Sequence, residues 1–184
     1  APRVPLHVAV HNPGPPGVPH GFPPGPPASL FAFPFASSPS FLAYPKAIFQ
    51  KHGIHLPQTS DPLLSPPCQI PELQPGLGGL ASRAASRHQA SHAFLLHLAP
   101  LGVRVFDDQW NPIINNKAGV AAANALKTIV DCGPEGSQTF GPAEAAASFK
   151  QGSSAMFMDS IAFAAGFEDP SQSTVAGKVG YALH

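Results

Sequence analysis

The sequence predicts an α/β fold. Three observations carry that prediction: helical and strand-like hydrophobic patterns alternate from Leu77 onward, glycine or proline closes each pattern, and no run of about twenty apolar residues reads as a membrane span. With 184 residues, the chain suits one medium domain or a piece of a larger two-domain protein.

Proline divides the chain: 19 of the 24 prolines precede Leu77. Ordinary helix is excluded over much of that first part, because proline lacks the amide donor and clashes with the preceding turn. The stretch NPGPPGVPHGFPPGPP has glycines at 14, 17, 21 and 25, which breaks the strict three-residue period of a collagen helix. A Pro-rich interaction module, such as a ligand for an SH3 or WW type domain, stays open as a reading. Against it, FAFPFASSPSFLAY follows at once, and so aromatic a run wants a core. Residues 1–76 therefore form a Pro-rich segment and residues 77–184 an α/β part.

Within that part, His88 to Leu98 places Ala90, Phe94, Leu95 and Leu98 along one helical face, closed by Pro100 and Gly102. VRVF reads as a short strand. Asn115 or Asn116 caps a helix running to about Cys132, with Val120, Ala123, Leu126, Ile129 and Val130 inward and Gly133-Pro134 as its stop. Pro142 sits in the first turn of a helix that Gly152 terminates. Ala155 to Met158 and KVGYAL read as strands, so the expected architecture is an open sheet covered by helices.

Only 11% of residues are charged and the net charge is zero, which gives no electrostatic reason to expect nucleic acid or an anionic membrane as partner. Cys68 and Cys132 permit one disulfide without demanding it; lacking CxxC spacing, they read as unpaired or incidental thiols, with neither zinc nor redox chemistry implied. His88 and His92 have the i, i+4 spacing that can chelate an ion. However, no Glu follows His88 in an HExxH pattern and His97 is turned away, so no metal or other cofactor is expected. The absence of GxSxG, SxxK, GxGxxG and GxxxxGK leaves nucleophilic hydrolysis and nucleotide binding without footing.

In open α/β sheets, ligands bind beyond the carboxyl ends of the strands. Asp159 and Ser160 fall there if Ala155 to Met158 is a strand. An ionised Asp159 either accepts hydrogen bonds from a ligand hydroxyl or caps the helix that follows, and the two roles are compatible. Phe163 or Phe167 would add an apolar face. Arg87, His88, Gln89 and His92 read as the polar leading end of a helix able to line the same cleft.

Three segments, taken together, resemble the extracellular solute-binding proteins of ABC transporters, of the maltose and sugar-alcohol type. They are FPFASSPSFLAYPKAIFQKHGIHLPQT, ASHAFLLHLAPLGVRVFDDQWNPIINNKAGVAAANALKTIV and FGPAEAAASFKQGSSAMFMDSIAFAAGFEDPSQSTVAGKVGYAL. They contain the Tyr-x-Lys-x-x-Phe helix start, Gly-Ile then Pro-x-Thr, Gly then Phe-Asp, Asn followed by Ala-x-x-Leu, and Phe-x-x-Gly-x-x-Ala-Met, in the family's order.

The resemblance implies part of a periplasmic-binding-protein-like type II fold of two lobes, with the lobe crossover within residues 1–76 and part of the C-terminal lobe in 77–184. It further implies a non-enzymatic, monomeric receptor, periplasmic or extracellular, that binds a sugar or polyol and delivers it to an ABC transporter permease. The alternative is a hydrolase acting on a carbohydrate, with His92 or Asp159 as base. Carried over by position, the ligand-facing residues are Ser37 and Ser38 near the crossover, Gln89, Ser91 and His92 at the helix start, and Asp159, Ser160 and Phe163. Trp110, in DDQWNP, reads as a surface turn. The chain departs from the family where LLSPPCQIPELQP replaces an expected helix, since interior prolines disfavour helix by about 3 kcal/mol each. Either a divergent loop or misassigned residues over 1–76 would account for that conflict.

Overall fold

A computed structural model describes residues 39–55 and 65–183. Four strands form one mixed sheet in the order β2-β3-β1-β4. They are β1 (Ser40–Pro45), β2 (Gly78–Ala81), β3 (Ser154–Ser160) and β4 (Val179–Leu183). β2 runs parallel to β3, while β1 is antiparallel to both β3 and β4.

Strand side chains alternate between faces, and here both faces are apolar. Leu42, Leu80, Met156 and Met158 face one way and join a cluster with Phe49, Ile70 and Ile129. These three come from helices α1 (Lys46–His52), α2 (Ser65–Leu73) and α4 (Lys117–Asp131). Phe41, Ala43, Ala81 and Phe157 face the other way, against Ala145, Ala146 and Phe149 of α5 (Pro142–Lys150) and Phe167 of α6 (Ala164–Phe167). Helices thus cover both sides of the sheet, as expected.

The expected helix over His88 to Leu98 forms as α3 (His88–Leu98), but its buried residues are Ala93, His97 and Leu98, and Leu95 is 44% exposed. In α4, capped by the Asn116 side chain accepting from the Gly119 amide at 2.9 Å, the buried residues are Gly119, Ala122 and Ile129. Val120 is outward at 57% exposure. In the first half of α4 the small Gly119 and Ala122 take the buried places expected of Val120 and Ala123, whereas Ile129 is buried as expected. α5 has Pro142 in its first turn and ends before Gly152, whose φ is 74°.

The segment LLSPPCQIPELQP corrects the sequence reading, because Ser65–Leu73 is helical with Pro71 inside it. Pro66 and Pro67 occupy the first turn, where the helix needs no amide donors. Pro71 leaves the Pro67 carbonyl without its intrahelical donor, and that oxygen packs against Gly79 of β2. A Cβ at Gly79 would lie 1.8 Å from it and 2.7 Å from the Cys132 carbonyl oxygen. Gly79 N–H donates to that Cys132 oxygen at 2.8 Å. A second correction follows at the same place: Cys68 and Cys132 are joined in a disulfide, with 5.0 Å between their Cα atoms. The bridge ties α2 to the C-cap of α4 beside Gly79, a proximity that the spacing of two cysteines does not encode.

Residues 104–114 belong to a separate unit. The strand expected at VRVF is absent; Phe106 makes only an isolated bridge to Pro112. The turn is organised by the Asp107 carboxylate, which accepts from the amides of Gln109 (2.9 Å) and Asn111 (2.8 Å), with Trp110 at φ 63°. Trp110 lies in an exposed turn, as its sequence context suggests. Among the described residues no helix is long and apolar enough to cross a membrane, and no group of three or more His, Cys, Asp or Glu could hold a metal ion.

Candidate functional site

The parallel pairing of β2 with β3 matches Gly78 to Ser154, Leu80 to Met156 and Ala81 to Phe157. Continued two residues past Ala81, that register sets Arg83 opposite Asp159, on the face carrying Ala81 and Phe157. The two side chains meet there. Arg83 Nε donates to Asp159 Oδ2 at 2.6 Å and Arg83 Nη2 to Oδ1 at 2.5 Å. The Ser160 amide adds a third bond to Oδ1 at 2.6 Å. Asp159 is 1% exposed and the Arg83 side chain 12%.

A buried carboxylate without donors is strongly disfavoured; three charge-assisted bonds, two of them a bidentate fork, resolve that here. Breaking such a pair by removing one partner is destabilising by about 3–5 kcal/mol. Asp159 therefore lies inside the protein as the counter-ion that aims Arg83, with donors on both oxygens. Its expected capping role falls instead to Ser160, whose Oγ accepts from the Ala162 amide at 3.1 Å at the start of the turn Ile161–Phe163.

Arg83 also reaches α3, with Nη1 donating to Gln89 Oε1 at 3.2 Å. The intervening loop is pinned where the amides of Ala84 and Ala85 donate to the Phe140 carbonyl at 2.8 and 2.9 Å. It ends at Arg87, a non-glycine residue at φ 68°, ψ −122°, a backbone state that is disfavoured by about 1–3 kcal/mol. His92 shares the site's field. Burial holds its imidazole below the ordinary histidine value, Arg83 pushes it the same way, Asp159 opposes this less strongly, and His88 lowers it further. The His88 and His92 rings stack with centroids 6.4 Å apart.

Asp159, Ser160, Gln89 and His92 thus come together. Ser91 does not: at about 100° per residue it lies across the helix from Gln89, exposed, its Oγ donating to the Arg87 carbonyl at 3.0 Å. Phe163 is half-buried, its ring edge-on to Phe157 at 5.6 Å. Ser37 and Ser38 lie outside the described residues. Arg83 was missed by sequence reasoning. The available signal was a cation two residues beyond a short apolar strand, at the same offset as Asp159 beyond Phe157.

The family model for bacterial extracellular solute-binding proteins matches residues 5–184. Comparison with curated proteins finds no match. Among solved structures, the chain is similar to an ABC transporter solute-binding protein of Agrobacterium radiobacter K84 in complex with ribitol. Identity is 27% over 83% of this chain and 38% of that one, with a TM-score of 0.74. A solute-binding protein of Agrobacterium vitis S4 with bound D-mannitol matches at 26% identity over 84% and 38%, TM-score 0.71. Maltose-bound T. maritima MalE3 matches at 25% over 78% and 37%, TM-score 0.69. The chain spans less than two-fifths of the length of these proteins, which are of the type II periplasmic-binding-protein fold. With nearly all of its sequence matched, the chain belongs to the family of bacterial extracellular solute-binding proteins.

Proposed function

We propose that this chain supplies one wall of a binding cleft for a sugar or sugar alcohol, in a monomeric receptor of the periplasm or cell exterior that passes its ligand to an ABC transporter permease. The observation that carries the reading is the fixed polar cluster of Arg83, Asp159 and Gln89 at the carboxyl ends of parallel β2 and β3. Its position is where open α/β sheets bind ligands, and similar proteins hold ribitol, D-mannitol and maltose. Gln89 and His92 line the cleft, Ser160 borders it, and Phe163 offers a partly exposed ring to the C–H face of the ligand. Ser37 and Ser38, near the crossover, complete the proposed set, while Ser91, on the far side of α3 from Gln89, is not part of it. Asp159 acts through Arg83, and it meets a ligand directly only if the guanidinium moves. A disulfide suits this location, since disulfides persist in oxidising compartments.

Titration with ribitol, D-mannitol and maltose, followed by side-chain amide and guanidinium NMR signals, tests the proposal. Saturable shifts at Gln89 and Arg83 are expected, with the ligand recovered unchanged. Chemical conversion of the ligand, or a folded chain that responds to no sugar or polyol, would overturn it.

A further inference from the structure

We infer that Arg83 and Gln89 form a donor-rich, electropositive subsite that favours ligands with acceptor oxygens and disfavours an ammonium group in the same place. The inference rests on the receptor reading above and specifies the chemistry of its ligand. A guanidinium carries five N–H donors and no acceptor. Three of Arg83's donors are used, two on Asp159 and one on Gln89. Two N–H groups remain, one on each terminal nitrogen.

The orientation of Gln89 follows from the same fact. Because Arg83 has nothing to accept with, the Gln89 amide must turn its oxygen to Nη1, and its NH2 group is left facing away from the guanidinium. The cluster's strongest acceptor, the Asp159 carboxylate, is 1% exposed and already holds three donors. Ser160 Oγ accepts from the Ala162 amide. What Arg83 and the Gln89 NH2 offer a ligand is N–H; the acceptors that remain, one lone pair on the Gln89 oxygen and a ring nitrogen of neutral His92, carry no formal charge.

The field agrees with the donor count. At His92 the guanidinium's influence exceeds that of the carboxylate, although the pair is formally neutral. Asp159 lies behind Arg83, so the positive end of the pair dominates on the α3 side. The same potential that disfavours an imidazolium there disfavours a ligand ammonium. It favours hydroxyl oxygens, and a carboxylate still more.

A matched series tests this: D-glucitol, D-gluconate and D-glucamine share one acyclic carbon chain and end in an alcohol, a carboxylate and an ammonium. Titrations of the wild type at neutral pH should show D-gluconate binding at least as well as D-glucitol. D-glucamine should bind at least about tenfold more weakly than D-gluconate, a conservative expectation for like charges at contact distance in a partly solvated site. Gln89→Glu keeps the size and the bond to Arg83 while presenting an acceptor in place of the outward NH2. It should shift the preference toward D-glucamine by about tenfold, a change that a merely structural role would not produce. Equal binding of D-gluconate and D-glucamine by the wild type, or unchanged selectivity in a folded Gln89→Glu variant, would overturn the inference while leaving the receptor reading intact. If none of the three compounds binds, and ribitol, D-mannitol and maltose fail too, the receptor reading fails with it.

Discussion

The disulfide between Cys68 and Cys132 permits a quantitative test. The bridge closes a loop across a sequence separation of 64 residues. In the chain-entropy treatment, a loop of that length removes roughly 14–15 cal/mol/K from the unfolded ensemble, or about 4 kcal/mol at 25 °C. That value is an upper estimate, because engineered and native bridges commonly deliver about 2–4 kcal/mol. The perturbation is Cys68→Ala with Cys132→Ala, compared with the oxidised wild type, with reduced wild type as a second unbridged form. The expected loss is about 2–4 kcal/mol, or roughly 10 °C in Tm for a domain of this size. Urea unfolding should be followed by far-UV circular dichroism, since the single tryptophan, Trp110, lies in the other unit. The denaturant slope should rise in the variant, because an unbridged unfolded chain exposes more surface. A folded, unreduced protein that alkylates at both cysteines would refute the reasoning. So would a double variant within about 0.5 kcal/mol of the oxidised wild type, the level at which ordinary surface substitutions scatter.

Two further outcomes follow. Gly79→Ala should destabilise by about 3 kcal/mol, the upper end for overpacking, because the new Cβ meets the backbone carbonyl oxygens of Pro67 and Cys132 rather than yielding side chains; an unfolding midpoint equal to wild type would show that α2 does not press on β2. The lowered His92 value means that below pH 6.5 the unfolded chain takes up a proton that the folded chain resists, so stability falls as pH drops from that value toward the folded one; His92→Gln should flatten this slope in urea midpoints measured on either side of about pH 6, and parallel curves for variant and wild type would contradict it.

Much of the local structure was legible in the sequence because its signals are local. Asn116 caps α4 through its own side chain, Pro142 and Gly152 bracket α5, and the alternation in β3 sets Phe157 against Met156 and Met158. Helix faces were less legible. Hydropathy alone prefers Val120 and Leu95 to Gly119 and Ala93, yet the smaller residues are the buried ones. The proline-containing α2 was unreadable because its stability lies in what it touches. Pro71 removes one intrahelical bond, while Ile70 is fully buried in the core and Cys68 is covalently held. The disulfide and the Arg83–Asp159 pair were hidden for the same reason, since each joins residues more than sixty positions apart.

The acid at the end of β3 was conspicuous because a carboxylate after a buried apolar strand needs donors from somewhere. The sequence could say that Asp159 required a polar partner; only the parallel register of β2 with β3 says that the partner is internal. This changes the logic of recognition. Were Asp159 open to the cleft, the site would lead with an acceptor and would welcome donors and cations. Because Arg83 covers it, the site leads with N–H groups, and the acid contributes by fixing their direction. The pairing also makes the donor arrangement rigid before any ligand arrives, so less ordering entropy opposes binding. A surface arginine in the same place would carry the same charge but lack the set geometry, and it is the fixed fork, with Gln89 turned by it, that can distinguish an oxygen from an ammonium.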